Sequence, residues 1–194
     1  MLIEPPVCPK CGKPQMNETV CNSCMKWEAD IDGIRSPFRF EGLIRNAIHE
    51  FKYKNLRAIA GRLAQLLYEY LVENPVPCEM LVPVPLHDKR LRERGYNQSA
   101  MLAKELSRFI GLPVNDSCLI RSINNIPQAK TKKVDERRQN VIGIFQCKNK
   151  DLSGKRVLLI DDVTTSGATL NACASALKTA GVMSVWGLTL AREI

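Results

Sequence analysis

The sequence predicts an α/β domain built on a parallel sheet, preceded by a small cysteine-rich module. Three observations predict it. The continuous apolar run Val157-Leu158-Leu159-Ile160 reads as a strand buried on both faces, the pattern of parallel sheets. Strand-like and helix-like segments alternate along residues 37–194, which implies βαβ units. Half of the 8 cysteines fall at Cys8, Cys11, Cys21 and Cys24, as two Cys-x-x-Cys pairs, and so mark residues 1–30 as a separate module.

Taken in order, residues 26–36 read as a linker out of that module. Residues 37–41 alternate apolar and polar side chains, like a strand. Residues 43–54 carry Leu43, Ile44, Ala47, Ile48 and Phe51 at helical spacing, and residues 56–72 do the same with Ile59, Leu63, Leu66, Leu67 and Tyr70. Asn74-Pro75-Val76-Pro77 ends the second helix. Residues 79–86 form a short buried strand stopped by prolines. Residues 94–110 form a helix with Gly111 as its C-cap. A strand over 114–120 follows. Residues 124–140 are polar, basic and aperiodic, a loop leading into a short helix. Gly154-Lys155 is a turn before the strand that ends in Asp161-Asp162. A helix over 169–180, capped by Gly181, and a strand over 184–190 complete the domain.

The two cysteine pairs are nine residues apart, and Gly12 favours the tight turn such a knuckle needs. Four thiolates match a closed structural zinc site, with no open position for catalysis. A segment this short cannot bury a core, so metal would supply its folding energy. Two disulfides and an iron–sulfur cluster are the competing readings. The first is disfavoured because the chain start has neither the basic end nor the apolar stretch of a secretion signal. No apolar run is long enough to span a bilayer. The expectation is a cytoplasmic protein that is not integral to a membrane.

The net charge is +8, and its distribution is uneven. Residues 1–85 hold 10 basic and 10 acidic side chains, whereas residues 86–140 hold 12 and 6. A positive field in the middle of the chain suits phosphate-rich ligands or nucleic acid, or is a solvated basic surface.

The densest chemistry lies at Asp161-Asp162-Val163-Thr164-Thr165-Ser166-Gly167-Ala168-Thr169. A buried strand delivers two acids to its carboxyl end, the edge where open α/β sheets bind ligands. Amides at the start of the following helix, with Ser and Thr hydroxyls, make a phosphate cradle, and Gly167 allows close approach. Two adjacent acids would repel a bare phosphate. They suit ribose hydroxyls, with Mg2+ alongside. A solvated strand end with an N-cap turn would explain the hydroxyls but not the acid pair.

Residues 157–169 resemble the signature for phosphoribosyl pyrophosphate (PRPP) in type I phosphoribosyltransferases: four apolar residues, two acids, two more apolar residues, then a Thr/Ser-Thr/Ser-Gly-x-Thr loop. Thr164 departs from it, standing where an apolar residue is usual. Leu81-Val82-Pro83-Val84-Pro85-Leu86, then Arg94-Gly95-Tyr96-Asn97-Gln98, then Gln128 with Arg138, Asn140 and Phe145, together with the knuckle, resemble the ComF family in the order expected. The resemblance implies a Rossmann-like, type I phosphoribosyltransferase-like domain over residues 37–194 behind a zinc-ribbon module. It implies that Asp161 and Asp162 hold the ribose hydroxyls as the catalytic acids, and that residues 163–169 complete the PRPP site, the 5′-phosphate lying on Thr165, Ser166, Gly167, Ala168 and Thr169. It further implies a pyrophosphate loop from Val84 to Arg94, with Pro85, Lys89, Arg90 and Arg94. The family is linked to late competence and to incoming single-stranded DNA, for which Arg92, Arg94, Lys130, Lys132, Lys133, Arg137 and Arg138 are the candidate contacts. A competence helicase or other DNA-processing proteins are the partners implied.

Phosphoribosyl transfer needs cations at the departing pyrophosphate and anions near the sugar. The chain offers both, but no residue set reads an acceptor. Two functions stay open: an enzyme transferring phosphoribose, and a nucleic-acid-handling protein whose pocket binds PRPP.

Overall fold

The computed structural model describes residues 1–53, 57–121, 143–148 and 151–194. The elements in chain order are α1 (Asn22–Met25), β1 (Gly33–Arg35), β2 (Phe38–Arg39), α2 (Gly42–Tyr53), a 3-10 turn (Arg57–Ile59), α3 (Ala60–Glu73), β3 (Met80–Pro83), α4 (Asp88–Arg94), α5 (Gln98–Ile110), β4 (Leu119–Arg121), β5 (Phe145–Cys147), β6 (Arg156–Thr164), α6 (Ala168–Thr179) and β7 (Ser184–Arg192). The main sheet runs β1-β7-β6-β3, with β2 also on β7, and every pairing in it is parallel. β4 and β5 form a separate antiparallel pair.

The apolar run of β6 explains the layering. Successive strand residues point to opposite faces. Val157 and Leu159 pack with Leu170, Cys173, Ala174 and Leu177 of α6. Leu158 and Ile160 pack with Phe51 of α2, Leu67 of α3 and Leu106 of α5. All four β6 residues are fully buried, and each contributes roughly 1.5–3 kcal/mol relative to exposure. A strand with helices on both faces tolerates no polar position there, hence the unbroken run.

The cysteine knuckle is not a detached appendage. Cys8, Cys11, Cys24, Trp27, Ile31 and Ile34 belong to the same core cluster as α6.

The predicted linker contains β1. Its residues show no period, but Asp32 Oδ2 accepts from the Val185 amide at 2.6 Å and the Asp32 amide donates to the Val185 carbonyl. Three residues without a repeat carry no strand signal, and the pairing with β7 is decided by the sheet. Trp186 of β7 lies over Gly33, where an added Cβ would stand 2.3 Å from the ring. Gly33→Ala is therefore expected to lose about 1–3 kcal/mol by overpacking, read as a lowered urea midpoint. An unchanged midpoint would refute that packing.

The predicted helix over 94–110 is two helices. Gly95 takes φ 74°, the left-handed cap that ends α4, and Asn97 caps α5 by accepting from the Ser99 amide at 3.0 Å. The Asn97 amide group also donates to the Val84 carbonyl at 3.0 Å, tying the start of α5 to the end of β3. His87 caps α4 by accepting from the Lys89 amide. Tyr96 is buried, with its ring beside Phe51 and its hydroxyl donating to the Phe51 carbonyl, so it anchors this corner. The segment expected as a pyrophosphate loop thus holds a seven-residue helix. The strand expected at 114–120 is confined to β4, with Val114 making one bridge to Leu81. The loop and short helix expected over 124–140, with Lys130, Lys132, Lys133, Arg137 and Arg138, lie outside the described residues. No helix among the described residues is long and apolar enough to cross a membrane.

Candidate functional site

β6 continues past its apolar run and carries Asp161 and Asp162 to the carboxyl end of the sheet. Strand alternation turns the two side chains to different partners. Asp161 Oδ1 accepts from the Ser99 hydroxyl at 2.8 Å and from the Asp162 amide at 2.9 Å. Asp162 Oδ1 lies 2.8 Å from Lys52 Nζ of α2. Each carboxylate keeps Oδ2 with no partner among the described residues.

The two acids are electrostatically unequal. Burial, and after it the charge of Asp162, pushes the Asp161 carboxyl up to about 7, although Ser99, the Asp162 amide and Lys52 oppose the shift. Lys52 is paired with Asp162, whereas the hydrogen bonds to Asp161 come from neutral donors.

β6 ends at Thr164, and the bend over 165–167 leads into α6. Ser166 Oγ accepts from the Ala168 amide at 3.4 Å. The amides of Thr165, Ser166 and Gly167 have no protein acceptor among the described residues. They stand at the N-terminus of a twelve-residue helix, where the helix dipole favours an anion. Gly167 takes φ 79°, and a Cβ there would meet Ile34 Cδ1 at 2.7 Å and Trp27 at 3.1 Å. The close approach at this glycine is thus made by the protein's own side chains, which press the knuckle's exit against the loop.

Other predicted residues divide. Pro85 is half-buried just past β3, whose neighbour Val84 donates its amide to the Ile160 carbonyl at 3.0 Å, so it lies beside the acids. Lys89, Arg90 and Arg92 are exposed on α4, and Arg94 donates to Gln98 Oε1 at 3.2 Å. Arg121, on β4, was not expected. Burial, and after it the positive charge of Arg90, lowers its pKa, while the charge of Asp161 opposes the shift. Lys52, Ser99 and Arg192 were not expected either. Arg192 is 1% exposed, donates from Nη1 to the Thr165 carbonyl at 3.3 Å, and leaves Nε and Nη2 buried without a partner among the described residues. None of the four belongs to a motif. A basic residue ending an apolar strand was the one signal available for Arg192.

The four cysteine sulfurs lie within 4.8 Å of one another. Cys11 Sγ and Cys21 Sγ are 3.8 Å apart. That is far beyond a disulfide at about 2.05 Å, and it matches the about 3.8 Å tetrahedral edge of thiolates held about 2.3 Å from an ion. Burial would raise the Cys8 thiol, but amides of Cys11, Cys21 and Lys10 outweigh it and bring it down to about 6. Cys24 is pushed up by burial and then by the charge of Cys11. Four thiolates cannot share this space unless a cation joins them. Two arginines, Arg35 and Arg192, feel these sulfurs as opposite charge. They would balance the net −2 of a dication with four thiolates. The set can hold a metal ion.

The family described as phosphoribosyl transferase domain matches residues 97–193. Competence protein ComFC of Bacillus subtilis is 34% identical, over 96% of this chain and 78% of its own. Competence protein F of Haemophilus influenzae is 32% identical, over 96% and 85%. DNA utilization protein YhgH of Salmonella typhi is 26% identical, over 97% and 85%. With two relatives above 30% identity along most of both chains, and a parallel sheet carrying the matched domain, the chain belongs to the ComF family and its α/β fold is that of the type I phosphoribosyltransferases.

Proposed function

We propose that this protein binds PRPP or a related ribose phosphate at the carboxyl end of β6, and that it acts in natural competence by handling incoming single-stranded DNA. The observation that carries the ligand reading is the set of open amides at Thr165, Ser166 and Gly167, at a helix N-terminus next to Asp161 and Asp162. The amides, with the Thr165 and Thr169 hydroxyls, cradle a 5′-phosphate. The free Oδ2 atoms accept the ribose hydroxyls, joined by Mg2+. Pro85 and the basic residues Lys89, Arg90 and Arg94 form the pyrophosphate end. The knuckle ion is zinc, by its all-thiolate donor set.

The competence role rests on relatives named for competence and DNA utilization. The DNA reading adds the basic excess of residues 86–140, with Arg92, Arg94, Lys130, Lys132, Lys133, Arg137 and Arg138 as contacts. A DNA-processing partner, a competence helicase among them, and a cytoplasmic location go with that role.

Transfer of phosphoribose to an acceptor is a second reading. The Lys52-paired Asp162 favours it, since a carboxylate there would stabilise an oxocarbenium-like sugar.

Calorimetric titration with PRPP and Mg2+, with and without a single-stranded oligonucleotide, tests the proposal. PRPP binding that weakens in Asp162→Asn, and DNA affinity falling steeply between about 50 and 200 mM salt, are expected. No heat with PRPP removes the ligand reading, and salt-independent DNA affinity removes the DNA reading.

A further inference from the structure

We infer that the metal knuckle and the phosphate loop are one coupled unit, in which Arg192 is the positioning residue that lets the bound ion hold the loop in its ligand-ready shape. The inference rests on the ribose phosphate reading above for its ligand, and on separate contacts for the coupling.

Two connections run between the sites. The first is steric. Trp27 leaves the knuckle with its amide donating to the Cys24 carbonyl, and the Ile34 amide donates to the Lys10 carbonyl between the first two cysteines. The same two side chains fill the space beside Gly167, at 3.1 and 2.7 Å from where a Cβ would be. Displacing the knuckle therefore removes the wall behind the loop.

The second is electrostatic. Arg192 is almost fully buried at the end of β7, and Nη1 donates to the Thr165 carbonyl. Its Nε and Nη2 have no partner among the described residues, although all four cysteine sulfurs act on it as favourable charge. A buried guanidinium short of hydrogen bonds is costly unless an anion faces it. A metal–thiolate cluster of net charge −2 is such an anion. With the ion present, Arg192 is held and points its remaining donor at the loop. The Thr165 carbonyl is thereby held, which fixes the planar peptide that carries the Ser166 amide. Without the ion, nothing gathers the four sulfurs into one compact anion, and Arg192 is held less firmly.

Coupling between two binding sites is reciprocal. Removing zinc should weaken PRPP binding by about tenfold or more, within the usual range for such coupling, and PRPP should slow zinc transfer to a chromogenic chelator by a similar factor. The test uses the full chain in zinc-loaded, chelator-stripped and zinc-loaded Arg192→Lys forms. Hydrogen exchange of peptides spanning 164–169 is followed beside the core peptide 157–160, with PRPP affinity and zinc release measured in parallel.

The expected result is faster exchange in the loop in both forms, with the core unchanged in zinc-loaded Arg192→Lys. The lysine keeps the charge but not the fork, so zinc content should stay at one per chain. If stripping unfolds the core, the zinc-loaded Arg192→Lys form decides. Loop exchange equal to the parent in that form, or zinc release indifferent to PRPP that does bind, overturns the coupling. If the zinc-loaded parent fails to bind PRPP, the ligand reading falls, and loop exchange alone still decides whether the knuckle holds the loop.

Discussion

Cys8→Ser is expected to leave the protein without its metal and to prevent a stable native state from accumulating. The Cys8 side chain is fully buried, and its sulfur accepts the amides of Cys11 and Cys21 at 3.5 and 3.4 Å. A serine oxygen is a poor fourth ligand for a thiolate site and leaves the remaining three with an open position. Ion binding to isolated four-ligand fingers is worth roughly 10–16 kcal/mol, against a total stability of about 5–15 kcal/mol for a typical protein. The loss would not stay local. Cys8, Cys11 and Cys24 share a core with Leu159 of β6 and Leu170 of α6, so loosening the knuckle exposes one face of the main sheet. Metal content by mass spectrometry and thermal unfolding check this. A metal-free Cys8→Ser protein with the parent's melting temperature would show that the ion contributes nothing to the fold.

Asp161→Asn is expected to stabilise the ligand-free protein at pH 8 while weakening its affinity for PRPP by roughly 10- to 150-fold. Burial, and then the charge of Asp162, raises the folded-state carboxyl from 3.8 to about 7. Between about pH 4 and 7 the folded protein binds a proton that the unfolded chain has lost. Stability therefore declines as pH rises through that window, and the full cost stands above pH 7. Asparagine cannot ionise, so the variant should lack this slope. It should resemble the parent near pH 4 and exceed it at pH 8. Its Oδ1 can still accept from Ser99 and from the Asp162 amide, at the parent's 2.8 and 2.9 Å. The ligand side runs the other way. A hydrogen bond from a ribose hydroxyl to a charged acceptor is worth about 1.5–3 kcal/mol, and the amide forfeits the charge. Urea midpoints at pH 5 and pH 8, with calorimetry at pH 8, read both effects. Equal pH slopes in parent and variant would show that Asp161 ionises normally.

The opposite signs of these two effects belong together. A carboxyl whose charged form is disfavoured by burial in the ligand-free protein would be stabilised by hydroxyls or a cation reaching it. An acid pair that destabilises the resting protein is consistent with a binding role.

The sequence by itself determined the sheet's central strand, the four-cysteine cluster and the bend that follows β6, because each is written in residues close along the chain. The buried run Val157-Leu158-Leu159-Ile160 states its own burial. Two Cys-x-x-Cys pairs state four ligands. Asp161 to Thr169 is one strand, one bend and one helix start. The breaking of the predicted helix at Gly95 was legible too, since glycine is the residue that takes φ 74° at low cost.

Only the tertiary structure decided what surrounds these pieces. Ser99 meets Asp161 from 62 residues away, and Lys52 reaches Asp162 from another helix. β1 is a strand because β7 offers it an edge, not because Gly33-Ile34-Arg35 has a pattern. Gly167 looked like room for a ligand, whereas Trp27 and Ile34 fill the space beside it. Arg192 was one charge among 28 basic residues, yet the end of β7 buries it against the carbonyl of Thr165. Periodicity and spacing record a residue's neighbours along the chain. The partner that gives a buried charge its meaning comes from a distant segment, and only the packing of sheet, knuckle and helices brings it near.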